Sequence, residues 1–170
     1  TSGMAVAMRN TQNSTSMLQT AEGALDEVSN MLVRMKDLAT QAADQSSTQA
    51  DKDAMQLEYD ALGTELGNVL KNTTFGGANL LVGGTIASSM KFQIGASSTE
   101  TMTVSLATDV TAVATDVSAA TSNYGTAGTG TEVASGTAAT ASIAKLDTAL
   151  ASVGKVRSGL GAAANRLEHV

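Results

Sequence analysis

Leu18, Ala21, Leu25, Val28, Leu32, Met35, Ala39 and Ala42 follow one another at alternating steps of three and four residues. That spacing holds a narrow apolar seam on one side of a helix, as in a coiled coil. No Pro or Gly interrupts the stretch between Ala24 and Ala43. The pattern predicts one continuous helix from about Met4 to Asp44, a rod on the order of 60 Å long at ~1.5 Å per residue. Gln45 to Ala50 is polar and predicts a turn. Thr48 is placed to cap a second helix, with Asp51 in its first turn. In that second helix Met55, Tyr59, Leu62, Leu66 and Val69 repeat the four-three pattern, and Gly63 and Gly67 lie one turn apart. Gly costs roughly 1 kcal/mol against Ala inside a helix. The two glycines therefore mark either a close helix–helix approach or simple weak spots.

From Phe75 the pattern changes. Gly76-Gly77 and Gly83-Gly84 punctuate the chain, and two short stretches then alternate as strands do. Met90, Phe92 and Ile94 alternate with Lys91 and Gln93, and Met102, Val104 and Leu106 alternate with Thr103 and Ser105. The reversal between them, Gly95 to Glu100, predicts an antiparallel hairpin. Residues 107–141 are rich in Ala, Thr, Ser and Gly, a low-complexity linker with a short helix expected near Val110 to Ala120. Ile143, Leu146, Leu150, Val153, Leu160 and Leu167 then carry the seam of a third helix. The expected fold is mainly α with a small β part. A long N-terminal helix, a second antiparallel helix and a C-terminal helix form an elongated bundle, with a β-hairpin added. The expected division is 1–106, 107–141 and 142–170. Both chain ends fall within helical patterns, as a cut through a longer bundle would leave them.

Composition narrows the functional classes. The chain has 170 residues, 42% of them hydrophobic, but only two Tyr, two Phe and no Trp, against eight Met. Cores of Ala, Leu, Val and Met suit closely spaced helices better than a pocket for a flat cofactor. The absence of Cys removes disulfides, thiolate nucleophiles and Cys-based metal sites. A net charge of −6 argues against a nucleic-acid partner. No apolar run approaches the roughly 20 residues needed to span a bilayer, and no basic-then-apolar opening reads as a secretion signal.

Catalytic signals are weak throughout, and no cofactor or metal is expected. His169 is the single histidine, which excludes a His-pair metal site. Gly159-Leu-Gly-Ala-Ala-Ala164 fits a loose dinucleotide fingerprint, but it lies within a helical pattern and follows no strand. The acidic groups Asp51, Asp53, Glu58 and Asp60, like Asp26 and Glu27, read as solvated helix faces. A hydrolase would need a nucleophile–base pair that this chain does not offer. A helical binding module, such as an adhesin stalk, would share the periodicity.

Four stretches together resemble one family in its own order. Gln19-Thr-Ala-Glu-Gly-Ala-Leu-Asp-Glu-Val28, continued by Leu32-Val-Arg-Met-Lys-Asp-Leu-Ala-Thr-Gln-Ala-Ala43, resembles the N-terminal core segment of bacterial flagellins. Asn72-Thr-Thr-Phe-Gly-Gly77 with Asn79-Leu-Leu81 is similar to the turn after their second helix. Phe92-Gln-Ile-Gly-Ala96 with Thr101 to Leu106 resembles their core hairpin, and Ile143 to Leu167 their C-terminal core helix. Only about Ala107 to Ala141 is left unmatched.

The resemblance implies a structural subunit of the flagellar filament, needed for motility, with other flagellin subunits as partners and no nucleic acid or membrane. It implies an extracellular location reached through the flagellar export apparatus, without a cleaved signal peptide. It further implies that the terminal assembly helices are absent and that the Thr/Ala/Gly-rich stretch stands in place of variable outer domains. The hook–filament junction protein is the related alternative, although its likeness to flagellin is greatest at the termini. In many flagellins a patch on the first two core helices is sensed by Toll-like receptor 5. The positions matched to it here are Arg34, Leu38 and Gln41 on the first helix and Glu65 on the second. The steps from 34 to 38 to 41 set three side chains on one helical stripe. Two readings of Leu38 stay open, a receptor contact or a member of the internal seam beside Ala39. The same strip in the family touches the neighbouring subunit.

Overall fold

The computed structural model describes residues 1–169. Helix α1 runs over Ser2–Ala43, 42 residues and so about 63 Å of rod. Its seam is buried as the periodicity predicts, from Leu18 through Ala21, Leu25, Val28, Leu32 and Met35 to Ala39 and Ala42. A turn at residues 44–48 reverses the chain into α2, Gln49–Asn72. Thr48 caps α2: its side chain accepts from the Asp51 N–H, and Asp51 in return accepts from the Thr48 N–H. This reciprocal box satisfies two amides that a helix start leaves unpaired.

After α2, strands β1 (Thr74–Phe75) and β2 (Ala78–Asn79) close a minimal hairpin. Its turn residues Gly76 and Gly77 have φ of +60° and +82°, values that suit glycine at a primed hairpin turn. A short 3₁₀ turn at Thr85–Ala87 buries Ile86. Strands β3 (Ser89–Gln93) and β4 (Thr101–Ser105) pair antiparallel with Phe92 opposite Met102 and Met90 opposite Val104. All four of these side chains are buried, so one face of the hairpin seals the core and Lys91 and Thr103 face outward.

Helix α4, Gly136–Glu168, lies antiparallel to α1: Lys36 pairs with Asp147 at 2.7 Å, and Asp26 with Arg157 at 2.9 Å. Such exposed pairs are worth little alone. The apolar seam carries the contact, with Leu146, Ala149, Val153, Val156, Leu160 and Leu167 buried along α4. This helix begins at Gly136, capped by Ser135, so the expected boundary at residue 142 falls inside it.

Residues 107–120 form a third core helix within the stretch that composition marked as a linker. This helix, α3 (Ala107–Ala120), starts three residues before the expected Val110 and buries Val110, Val113, Val117 and Ala120. Residues 121–134 then run as an irregular strap along α2. Gln56 gives its amide to Asp60 at 2.8 Å and to Glu132 at 2.9 Å, while its carbonyl accepts the Val133 N–H at 2.7 Å. Both Asp60 oxygens accept the Gly130 N–H at 3.1 Å. Lys71 holds the Tyr124 carbonyl at 2.9 Å.

The strap corrects two expectations. Met55, Leu62 and Val69 are only half-buried, because α2 turns a second face, Gln56, Asp60, Gly63 and Gly67, under the strap. The glycines do mark a close approach, but the neighbour is this irregular segment rather than a helix. A Cβ on Gly63 would collide with the Thr121 hydroxyl, and one on Gly67 with the Gly125 backbone nitrogen.

Candidate functional site

The turn between α1 and α2 brings two oppositely charged side chains face to face. Arg34 donates from Nε to Glu58 Oε2 at 2.7 Å and from Nη2 to Oε1 at 3.1 Å, a bidentate fork. Both side chains stay about half exposed, at 49% and 45%. Glu58, through the hydrogen bond first and its charge second, holds the Arg34 guanidinium above its ordinary pKa. The pair is therefore a formed but solvent-facing unit. Two large aliphatic side chains flank it in sequence and remain exposed, Val33 at 48% and Leu57 at 69%. An accessible ion pair beside uncovered aliphatic surface has the chemistry of a protein-contact patch.

Gln41 is exposed at the last turn of α1, where its carbonyl accepts from the Asp44 N–H and, at 2.6 Å, from the Ser47 hydroxyl. Leu38 is 3% exposed and belongs to the core cluster with Met35 and Ala39. Of its two readings, the internal seam is the one its burial matches: in a helix packed on both α2 and α4, position 38 falls on the inward side. Glu65 is exposed but lies two turns beyond Glu58 along α2. Because the helices are antiparallel, Gln41 and Glu65 depart from the Arg34–Glu58 pair in opposite directions, each by about 10 Å. The four expected residues thus resolve into an exposed strip of Arg34, Gln41 and Glu65 over a buried Leu38.

Glu58 is the residue that the sequence reading missed, having been assigned to a solvated acidic face. A signal for it existed: a reversal centred near Ser46 sets position 58 opposite position 34. Asp60 was misassigned in the same way and is buried at 6% exposure beneath the strap. Asp51 is the capping carboxylate of α2, held below its ordinary range by the Thr48 N–H. Among the described residues, no three His, Cys, Asp or Glu side chains converge as a metal site would require. No helix among them is long and apolar enough to cross a membrane. The glycine fingerprint at 159–164 lies wholly inside α4.

Comparison with known proteins places this architecture. The sequence profile of the bacterial flagellin N-terminal helical region matches residues 1–86, half of the chain. The polar flagellin F of Vibrio parahaemolyticus is 46% identical over 105 residues, covering 62% of this chain and 27% of that protein. Flagellin C of Vibrio cholerae is 46% identical over 104 residues, covering 61% and 27%. The matched stretch thus spans about a quarter of these relatives' length. The crystal structure of Bacillus cereus flagellin superposes with a TM-score of 0.75 at 32% identity, over 95% of this chain and 86% of that one. FliC from Burkholderia pseudomallei shares the fold, with a TM-score of 0.70 at 18% identity over 90% and 99% of the two chains. With the family's own helical region matched across α1 and α2 and the rod as a whole superposing on a solved flagellin, the chain belongs to the bacterial flagellin family.

Proposed function

We propose that this chain is the core of a flagellar filament subunit, a structural rather than catalytic protein, whose long helical rod packs beside copies of itself outside the cell. The observation that carries this reading is the α1–α2 face. A rigid 42-residue helix presents the formed Arg34–Glu58 pair and the uncovered Val33 and Leu57 to whatever lies alongside. A monomer gains nothing from leaving such aliphatic surface in water, whereas a lateral neighbour would bury it. Motility would follow from torque carried along the polymer, and export through the flagellar channel would need no cleaved signal.

The direct test is to replace the matching core of the Vibrio parahaemolyticus relative with this chain, seed polymerisation, and image the product by electron microscopy. Long tubular filaments support the subunit reading. A protein that stays soluble, or that caps seeds without extending them, favours the hook–filament junction role instead.

The same strip supports a second role as the surface met by Toll-like receptor 5, now centred on Arg34 and Glu58 with Gln41 and Glu65 toward its two ends. Leu38 would act from beneath by fixing the helix. Arg34→Ala and Glu58→Ala should each weaken receptor signalling by the soluble protein roughly tenfold, as loss of a central contact does. Gln41→Ala and Glu65→Ala should weaken it less. Unchanged signalling with Arg34→Ala and Glu58→Ala combined would remove the receptor assignment.

A further inference from the structure

Midway along the rod, α2 carries a second seam on its outward side. Ala50, Ala54, Leu57, Ala61 and Asn68 recur in steps of four, three, four and seven residues, and all are exposed. Leu57, at 69%, is the most exposed large apolar side chain among the described residues. Asp53 and Glu65 stand exposed on either side of it. Helix α4 has an outward seam of the same rhythm, opposite its buried one. Ala144, Thr148, Ala151, Lys155 and Ser158 are all exposed there, with Lys145 beside them. The ion pairs between helices fix heights along the rod. Arg34 meets Glu58 from α1 to α2, while Lys36 meets Asp147 and Asp26 meets Arg157 from α1 to α4. By these pairs Leu57 stands level with Thr148, Asp53 with Lys145 and Glu65 with Lys155, to within about one residue, or ~1.5 Å of rise. Both α2 and α4 run antiparallel to α1, so the two outward seams point the same way.

We propose that the outward face of α2 on one copy docks on the outward face of α4 on a second copy, with the two rods side by side, level and parallel. This rests on the subunit reading above and names the surface that covers Leu57. In that arrangement Leu57 enters a hollow bordered by Ala144, Thr148 and Ala151, as a knob enters a hole in a coiled coil. Asp53 comes to Lys145 and Glu65 to Lys155, whose side chain is 73% exposed and holds Asp109 only at 3.4 Å. Opposite charges thus meet on both sides of the apolar contact. Pairing α2 with α2 instead would set Asp53, Glu58 and Glu65 against their own copies. Because the two faces differ, each copy keeps one of each kind free, and the contact repeats without closing on itself. One such strip of helix is a small interface, so a single contact is weak and gains strength by repetition along a polymer.

The chain has no cysteine, so a single one can be placed on each face without interference. Ala61→Cys in one preparation and Ala151→Cys in another lie one turn from Leu57 and Thr148, both at exposed positions. The two are mixed in equal parts at millimolar concentration, treated with a short thiol-to-thiol linker, and read by peptide mass analysis. The 61–151 product should exceed the 61–61 and 151–151 products about tenfold. Leu57→Asp in the Ala61→Cys chain should cut it about tenfold. Asp53→Lys in that chain should cut it severalfold, and Lys145→Glu in its partner should restore it. All these positions are exposed, and an unchanged far-ultraviolet helical signal confirms an intact rod. Equal yields of the three products, a 61–151 yield indifferent to Leu57→Asp, or no recovery when the two charges are exchanged would each overturn the pairing. Filament formation is scored separately by microscopy. Filaments without the 61–151 product would overturn this contact and leave the subunit reading standing, whereas failure to form filaments counts against the subunit reading itself.

Discussion

The contact between α1 and α4 is closed by Leu18, Leu25, Leu32, Leu146, Val153 and Leu160, all essentially removed from solvent. The contact between α2 and the strap is closed instead by Gln56, Asp60, Glu132 and the missing side chains of Gly63 and Gly67. In the first, energy comes from apolar area and tolerates small shifts, because the hydrophobic effect has no direction. In the second, an irregular segment brings backbone N–H groups into the interior, and each needs an acceptor in the right place. Gly130 and Val133 find theirs in Asp60 and Gln56. The seam thus supplies most of the stability, and the strap contact supplies specificity of position.

Substitutions can separate the two. Leu32→Ala opens a cavity in the fully buried seam and should cost about 3–4 kcal/mol in thermal or urea unfolding. A cost under about 1 kcal/mol would mean that the seam collapses around the gap and is not rigid packing. Gly67→Ala drives a Cβ against the Gly125 and Tyr124 backbone, which cannot rotate away, and should cost about 3 kcal/mol through displacement of the strap. Asp60→Ala leaves the Gly130 amide buried without its acceptor and should cost about 2 kcal/mol. Its signature is local: hydrogen exchange at Gly130 and Val133 should speed up while amides of α1 stay protected. Equal acceleration in both places would erase the distinction drawn above.

Smaller effects refine it further. Thr48→Ala removes the α2 cap and should cost about 1 kcal/mol. The depressed pKa of Asp51 adds stability that is present above its unfolded value and lost as pH falls through the folded one. At the alkaline end, burial first and the nearby Glu132 second raise Tyr59 above its ordinary value near 10. A raised folded pKa means stability that is full below the unfolded value and declines as pH climbs past about 10. Tyr59→Phe should flatten that decline, although it also gives up the hydrogen bond to the Ala120 carbonyl. Tyr124→Phe should be the mildest change, within about 0.5 kcal/mol and on the favourable side, since the Tyr124 hydroxyl is buried without a partner.

How much of this was legible in the chain follows the same division. The seam of α1, the Thr48–Asp51 cap and the β3–β4 hairpin are written in short-range spacing and form as that spacing predicts. In α4 Leu146, Val153, Leu160 and Leu167 are buried as expected, while Ile143 and Leu150 are only half-buried and Ala149 and Val156 fill the seam. Helical and strand periods are local properties, so a linear reading recovers them. The rest was decided by the tertiary structure. Leu38 turned inward because α1 packs on two neighbours at once, and Glu58 met Arg34 because the 44–48 turn fixed the register of α2. Asp60 and Gln56 were drawn inside by amides some seventy residues away. No periodic signal links residues so far apart in the chain. Pairings of this kind are imposed by the need of buried polar backbone for partners, and that need arises only once the chain has folded around it.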